Sequence, residues 1–124
     1  EQPFDRILLD APCSGTGIIS HHPDIKFLRR SGDLAQFAEQ QTTLLNQLWP
    51  LLKEGGQLLY CTCSIMPEEN AAVIDAFLTQ TPSAKALPID AQWGVISGSG
   101  RQLLPNKGKN GGFFYARLSK SATL

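Results

Sequence analysis

The chain has 124 residues, enough for one compact domain, with 42% hydrophobic and 18% charged residues, an ordinary balance for a soluble globular protein. No apolar run approaches the roughly 18–20 residues that span a bilayer and nothing at the start reads as a signal peptide, which excludes a membrane partner and makes cytoplasmic the expected location. Net charge is zero but unevenly spread: residues 101–124 carry Arg101, Lys107, Lys109, Arg117 and Lys120 with no acid, leaving six basic against eleven acidic side chains before them.

The first residue is Glu1, and a strand-like run follows almost at once. That predicts a piece of a longer protein, with further strands upstream. Residues 4–9 read as a buried strand stopped by Pro12. Ser14, Gly15, Thr16 and Gly17 read as a loop, and residues 18–32 are too broken by Pro23 and Gly32 for more than a turn or two of helix. A helix is predicted from Asp33, its N-cap, with Gln36 as capping-box partner. Leu34, Phe37, Leu44, Leu45, Leu48 and Leu52 share its apolar face, Pro50 kinks the last turn, and Gly55-Gly56 ends it.

A second strand is predicted over residues 57–61, with Thr62, Cys63 and Ser64 as its C-terminal turn. Pro67 suits the first position of the next helix, and Glu68 and Glu69 its first turn. Ala71, Val73, Ile74, Phe77 and Leu78 give that helix a buried side, and Thr81-Pro82 ends it. Residues 83–111 are rich in Pro, Gly, Ser and Lys with little periodicity, apart from a short strand expected near Trp93 and Ile96. A last strand covers residues 112–118. Alternation of strand and helix argues for a parallel α/β sheet.

Three cysteines make no disulfide framework, and Cys61 and Cys63, without a second pair, do not make a zinc site. Ligands of open α/β sheets bind beyond the carboxyl ends of the strands. Asp10, Pro12 and Cys13 follow the first strand there, and Cys63 follows the second. Adjacent strands would bring Asp10, Cys13 and Cys63 to one crevice, suited to thiolate attack on an electron-poor carbon, with Cys63 activated by the helix start that follows it. Each residue also has a plainer reading: Cys63 or Cys13 as a small buried hydrophobe, the pair as a disulfide, Asp10 as a turn cap. Cys61 reads as packing, His21 and His22 as exposed residues with no metal, and Phe113, Phe114 and Tyr115 as core. The basic segment fits either a phosphate backbone or a solvated surface.

Three segments together resemble the Nop/Sun family of RNA cytosine-5 methyltransferases: FDRILLDAPCSG at residues 4–15, YCTCSIMPEEN at 60–70 and GGFFYA at 111–116. HPDIKFLRR at residues 22–30 and GRQLLP at 100–105 resemble its bacterial branch acting on small-subunit ribosomal RNA. The resemblance implies the C-terminal half of a Rossmann-like, S-adenosylmethionine-dependent methyltransferase sheet. Its fourth, fifth and seventh strands would be present here, the last antiparallel, with the sixth near Trp93. Residues 1–124 would then be a partial catalytic domain, since the glycine-rich cofactor loop of the first strand, an active-site lysine and the acidic ribose-binding residue belong upstream. Two smaller departures are Cys61, where small residues are common, and the lysines of loop 106–111, where relatives are often acidic.

The resemblance also implies roles. Cys63 matches the nucleophile that adds to carbon 6 of cytosine, and Cys13 the residue that releases the methylated RNA. Asp10 matches the residue near cofactor and base, where its protonated carboxyl would hydrogen-bond the ring nitrogen. Pro12 shapes the loop and offers its carbonyl to the base. Two other readings stand beside this one. A catalytically inactive RNA-binding scaffold has no need of two aligned thiols, and in DNA cytosine-5 methyltransferases the Thr-Cys segment is absent.

Overall fold

The structure, a computed structural model, describes residues 4–13, 33–104 and 112–121. Strand β1 (Phe4–Asp10) leads through helix α1 (Asp33–Leu48) and a 3-10 turn (Trp49–Leu51) to β2 (Leu52–Thr62). A second 3-10 turn (Pro67–Glu69) precedes α2 (Ala71–Gln80). Four further strands follow: β3 (Ala84–Leu87), β4 (Val95–Ser97), β5 (Gly100–Leu103) and β6 (Phe113–Lys120). They form one six-stranded sheet in the order β1-β2-β6-β5-β4, with β3 also paired to β6.

Among the described strands β1 and β2 form the one hydrogen-bonded parallel pair, joined through helix α1; α2 carries the chain from β2 across to β3, and β6, lying between them, is antiparallel to β2, β3 and β5. The sheet is therefore mixed, and the expectation of a parallel sheet from alternation alone holds for its first pair. The antiparallel last strand is the one the family resemblance implies. β5 and β3 share the far edge of β6, pairing with residues 113–115 and 117–120 respectively. The expected strand near Trp93 lies slightly later, as β4.

Alternation along β2 and β6 decides which side chains enter the core. Leu58, Tyr60, Phe114, Ala116 and Leu118 are fully buried, and Leu9 of β1 and Ala11 just after it join them. Both helices supply the other half of this core, through Leu45 and Trp49 of the first and its turn, and Val73, Ile74 and Phe77 of the second. Trp49 and Phe77 meet edge to face at 5.3 Å. On the opposite face Phe4 and Leu8 are exposed among the described residues. No helix of the described residues is long and apolar enough to cross a membrane.

Helix α1 ends at Leu48, well before Gly55-Gly56. Pro50 sits at the start of the 3-10 turn that replaces its continuation, and Leu52 already belongs to β2. The two glycines serve the strand. Between Phe4 and Arg6 the β1–β2 register jumps from Leu52 to Gln57, a bulge in which Gly55 takes a φ of 81°. A Cβ on Gly56 would lie 2.8 Å from the Lys53 carbonyl oxygen. The inward stripe of α1 includes a polar residue, Gln41, fully buried one turn before Leu45.

Candidate active site

The ladder between β1 and β2 closes with Asp10 opposite Cys61, and the Ala11 N–H donates to the Cys61 carbonyl at 2.9 Å. Side chains alternate, so Leu9 and Tyr60 enter the core while Asp10 and Cys61 project from the other face. Pro12, lacking an N–H, ends the pairing. Its carbonyl accepts a hydrogen bond from Gln41 Nε2 at 2.8 Å, which ties the loop carrying Cys13 to helix α1. Gln41 Oε1 is buried with no hydrogen-bond partner among the described residues.

Beyond β2, Thr62 and Ser64 turn inward and are fully buried, while Cys63 between them faces Cys13. Ser64 Oγ donates to Glu69 Oε2 at 2.5 Å and accepts from the Met66 N–H at 3.0 Å. Thr62 Oγ1 donates to Asn70 Oδ1 at 2.6 Å and accepts from the Ser64 N–H at 3.3 Å. The Tyr60 hydroxyl donates to the Glu69 carbonyl at 2.8 Å. Burial first, then the Glu69 carboxylate, pushes this phenol well above its ordinary range, so it remains a donor. Glu69, expected in the first turn of a helix, is instead fully buried in the 3-10 turn beneath the Cys63 loop.

The two thiols, fifty residues apart in sequence, lie 3.3 Å apart, sulfur to sulfur, and form no disulfide. The hydrogen bond from Cys13 is the largest influence on Cys63 and, helped by its own backbone N–H, lowers its pKa from 9.0 to about 7. Burial and the carboxylates of Asp10 and Glu69 oppose this, less strongly. Cys61, two residues earlier, shows the opposite effect. Its thiol approaches Asp10 Oδ1 at 3.7 Å, and burial followed by that carboxylate pushes it up to about 11. At neutral pH one cysteine is therefore substantially thiolate and its neighbour a thiol. The expected activation of Cys63 by a helix start does not arise, because α2 begins only at Ala71 and a helix dipole fades within its first turn.

Of the residues expected together, the structure brings Cys13 and Cys63 into contact, while Asp10 lies beside Cys61 at the same end of the β1–β2 pair. The basic segment reads differently. The Lys120 ammonium is buried and donates to the Trp49 and Leu52 carbonyls, Arg117 bonds Gln57, and Arg101 bonds the Trp93 carbonyl. These three serve internal contacts, while Lys107 and Lys109 lie outside the described residues, as do Gly15, Thr16, Gly17, His21 and His22. Sequence reasoning missed Gln41, Glu69, Asn70 and Gln102. The signal for Gln41 was its helical spacing from Leu45; the other three stood inside the segments YCTCSIMPEEN and GRQLLP.

A family model described as 16S rRNA methyltransferase RsmB/F matches residues 1–119. The chain belongs to this family. It is 53% identical over 120 residues to the ribosomal RNA small subunit methyltransferase B of Salmonella arizonae, covering 97% of this chain and 27% of that protein. Among solved structures, it resembles a methyltransferase homologue from Pyrococcus horikoshii, with a TM-score of 0.76 and 33% identity over 95% of this chain and 39% of that one. It also resembles NSun6 from Pyrococcus horikoshii, solved with SFG, with a TM-score of 0.80 and 27% identity over 94% of this chain and 30% of that one. The RsmB/F match runs through every element that positions the thiol pair, and the chain spans about a quarter of the length of the S. arizonae relative.

Proposed function

We propose that this chain, within its full-length protein, transfers a methyl group from S-adenosylmethionine to carbon 5 of cytosine in small-subunit ribosomal RNA, through a covalent adduct at Cys63. The observation that carries the reading is the 3.3 Å approach of the Cys13 and Cys63 sulfurs at the carboxyl edge of the sheet. The relatives named as ribosomal RNA small subunit methyltransferases support the substrate class. The neighbour solved with SFG, an S-adenosylmethionine analogue, supports the cofactor.

Cytosine carbon 6 is electron-poor only weakly, so addition needs a thiolate available at neutral pH, and Cys63 supplies one. Its Sγ bonds to carbon 6, and the ring electrons move onto carbon 5. The Asp10 carboxyl shares a proton with the ring nitrogen, countering the charge that develops there. Once carbon 5 carries the methyl group, solvent water takes the carbon 5 proton, that bond's electron pair re-forms the carbon 5–carbon 6 double bond, and the carbon 6–sulfur bond breaks to regenerate the thiolate of Cys63. Cys13 assists that release, since the thiol that stabilises a thiolate on Cys63 makes it a better leaving group. Pro12, held by Gln41, keeps one carbonyl lone pair for the base. The base reaches this edge only when splayed out of its stack.

Asp10, exposed and beside Cys61, would also hold S-adenosylmethionine, as the family resemblance implies. When bound, that cofactor supplies the electrophilic methyl that carbon 5 accepts. The test is Cys13→Ala in the full-length protein, incubated with cofactor and substrate RNA. A slow-migrating, nuclease-sensitive protein–RNA band on a denaturing gel is expected, and its absence overturns the release role.

A further inference from the structure

The buried polar residues under the nucleophile loop are joined across the fold in a way that the fold alone does not require. Asn70 is the N-cap of α2, where an Asn side chain ordinarily bonds the helix's own free N–H groups and contributes about 1 kcal/mol. Here it makes no cap bond. Its Nδ2 donates instead to the Ser64 carbonyl at 2.8 Å and to Gln102 Oε1 at 2.9 Å, while its Oδ1 accepts from Thr62. Gln102, on β5, donates through Nε2 to the same Ser64 carbonyl at 3.2 Å, and to the Leu103 and Phe113 carbonyls at 3.1 and 3.0 Å. Both side chains are buried, Asn70 fully and Gln102 to 6% exposure.

One carbonyl, that of the residue after Cys63, is therefore held by two amides from two distant elements. Each amide is anchored again elsewhere, one on Thr62 before Cys63 and the other on β6. Thr62 and Ser64 cannot shift without breaking bonds to α2 and to the β5–β6 pair together. A buried amide that loses its partner costs about 1–3 kcal/mol, so the loop has few alternative positions. The tolerance of the site is narrow, because a hydrogen bond between sulfurs at 3.3 Å weakens quickly as they separate.

We propose that Asn70 and Gln102 are positioning residues that clamp the Ser64 carbonyl and so hold Cys63 against Cys13. The proposal rests on reading Cys63 as the nucleophile. It gives a role to Gln102 in the GRQLLP segment, which the thiol chemistry leaves unused. Substrate is not touched by either residue; they act through the loop. The clamp makes the state of Cys63 depend on β5, a strand that contributes no group to the crevice.

The experiment uses the full-length protein with Gln102→Met, which keeps side-chain length and removes every clamp bond of that residue. Cys63 alkylation by iodoacetamide is followed against pH by peptide mass spectrometry. The midpoint is expected to rise by about one unit toward the ordinary thiol value as the hydrogen bond from Cys13 loosens. Methyl transfer should fall about tenfold or more in kcat, with KM for RNA nearly unchanged. Leu103→Ala, which weakens packing of the same strand and leaves the clamp bonded, should keep the wild-type midpoint. A Gln102→Met midpoint that superimposes on wild type overturns the proposal. If that variant does not fold, Gln102→Glu, which loses the amide donor while keeping the length, carries the same comparison and the same refutation. Alkylation needs no methyl transfer, so failure of the clamp is distinguishable from failure of the functional reading, which Cys63→Ala tests separately.

Discussion

Replacing Cys13 by Ala removes the largest influence lowering the Cys63 pKa. Burial, which raises it, is then the largest influence; the backbone hydrogen bond still lowers it, and the Asp10 and Glu69 carboxylates raise it. A Cys63 pKa near 7 leaves about half of it ionised at pH 7, and a return to 9 leaves about one per cent. Thiolate at neutral pH therefore falls about fifty-fold. A more basic thiolate is intrinsically more nucleophilic, by about six- to tenfold over two pKa units at a Brønsted slope of 0.4–0.5. The net expectation is alkylation of Cys63 slower by about fivefold or more at pH 7, and faster than wild type above about pH 8.3. The two pH–rate curves must cross. Peptide-resolved iodoacetamide labelling reads this directly. Cys61 is an internal reference, because its high pKa arises chiefly from burial and Asp10, with the charge on Cys63 the smallest cause. Curves that coincide, or differ by a constant factor without crossing, refute the assignment of the depressed pKa to the Cys13 hydrogen bond.

Two further predictions concern buried polar side chains. Lys120→Met leaves the Trp49 and Leu52 carbonyls without their buried donor and removes a cation lying 5.8 Å from the Trp49 ring; a loss of about 2–3 kcal/mol is expected in chemical denaturation, and an unchanged midpoint contradicts it. Gln41→Met removes a buried Oε1 that has no partner among the described residues, together with the bond to the exposed Pro12 residue, so stability should be unchanged or higher by about 1 kcal/mol while methyl transfer falls; a clear loss of stability contradicts it.

How much of this was legible in the sequence depended on length and range. β1, β2 and β6 show themselves because each carries an apolar or alternating run of several residues, and the strand ends then place Asp10, Cys13 and Cys63 at one edge. β3 and β5 contribute only four residues each, too few for periodicity to register, and are specified by pairing with β6. The end of α1 was misread because Trp49, Leu51 and Leu52 continue its apolar spacing, and only the bulge opposite Phe4 explains Gly55-Gly56. Glu69 resembled a helical first-turn acid, whereas a bond to Ser64 buries it. Lys120 resembled part of a basic surface, whereas two carbonyls from elsewhere in the chain bury it. Residue type and strand position made the thiols plausible neighbours, and the roles expected of them came from the family resemblance alone. Their unequal ionisation followed from which cysteine faces Cys13 and which faces Asp10, and that is a matter of register.

The central claim is that Cys63 forms the bond to the base. The most direct measurement is transfer of labelled methyl from S-adenosylmethionine to small-subunit ribosomal RNA by full-length protein carrying Cys63→Ala, with 5-methylcytosine quantified after digestion to nucleosides. The account predicts no product above background from a protein that remains folded. Methylation of cytosine at the wild-type rate would contradict it.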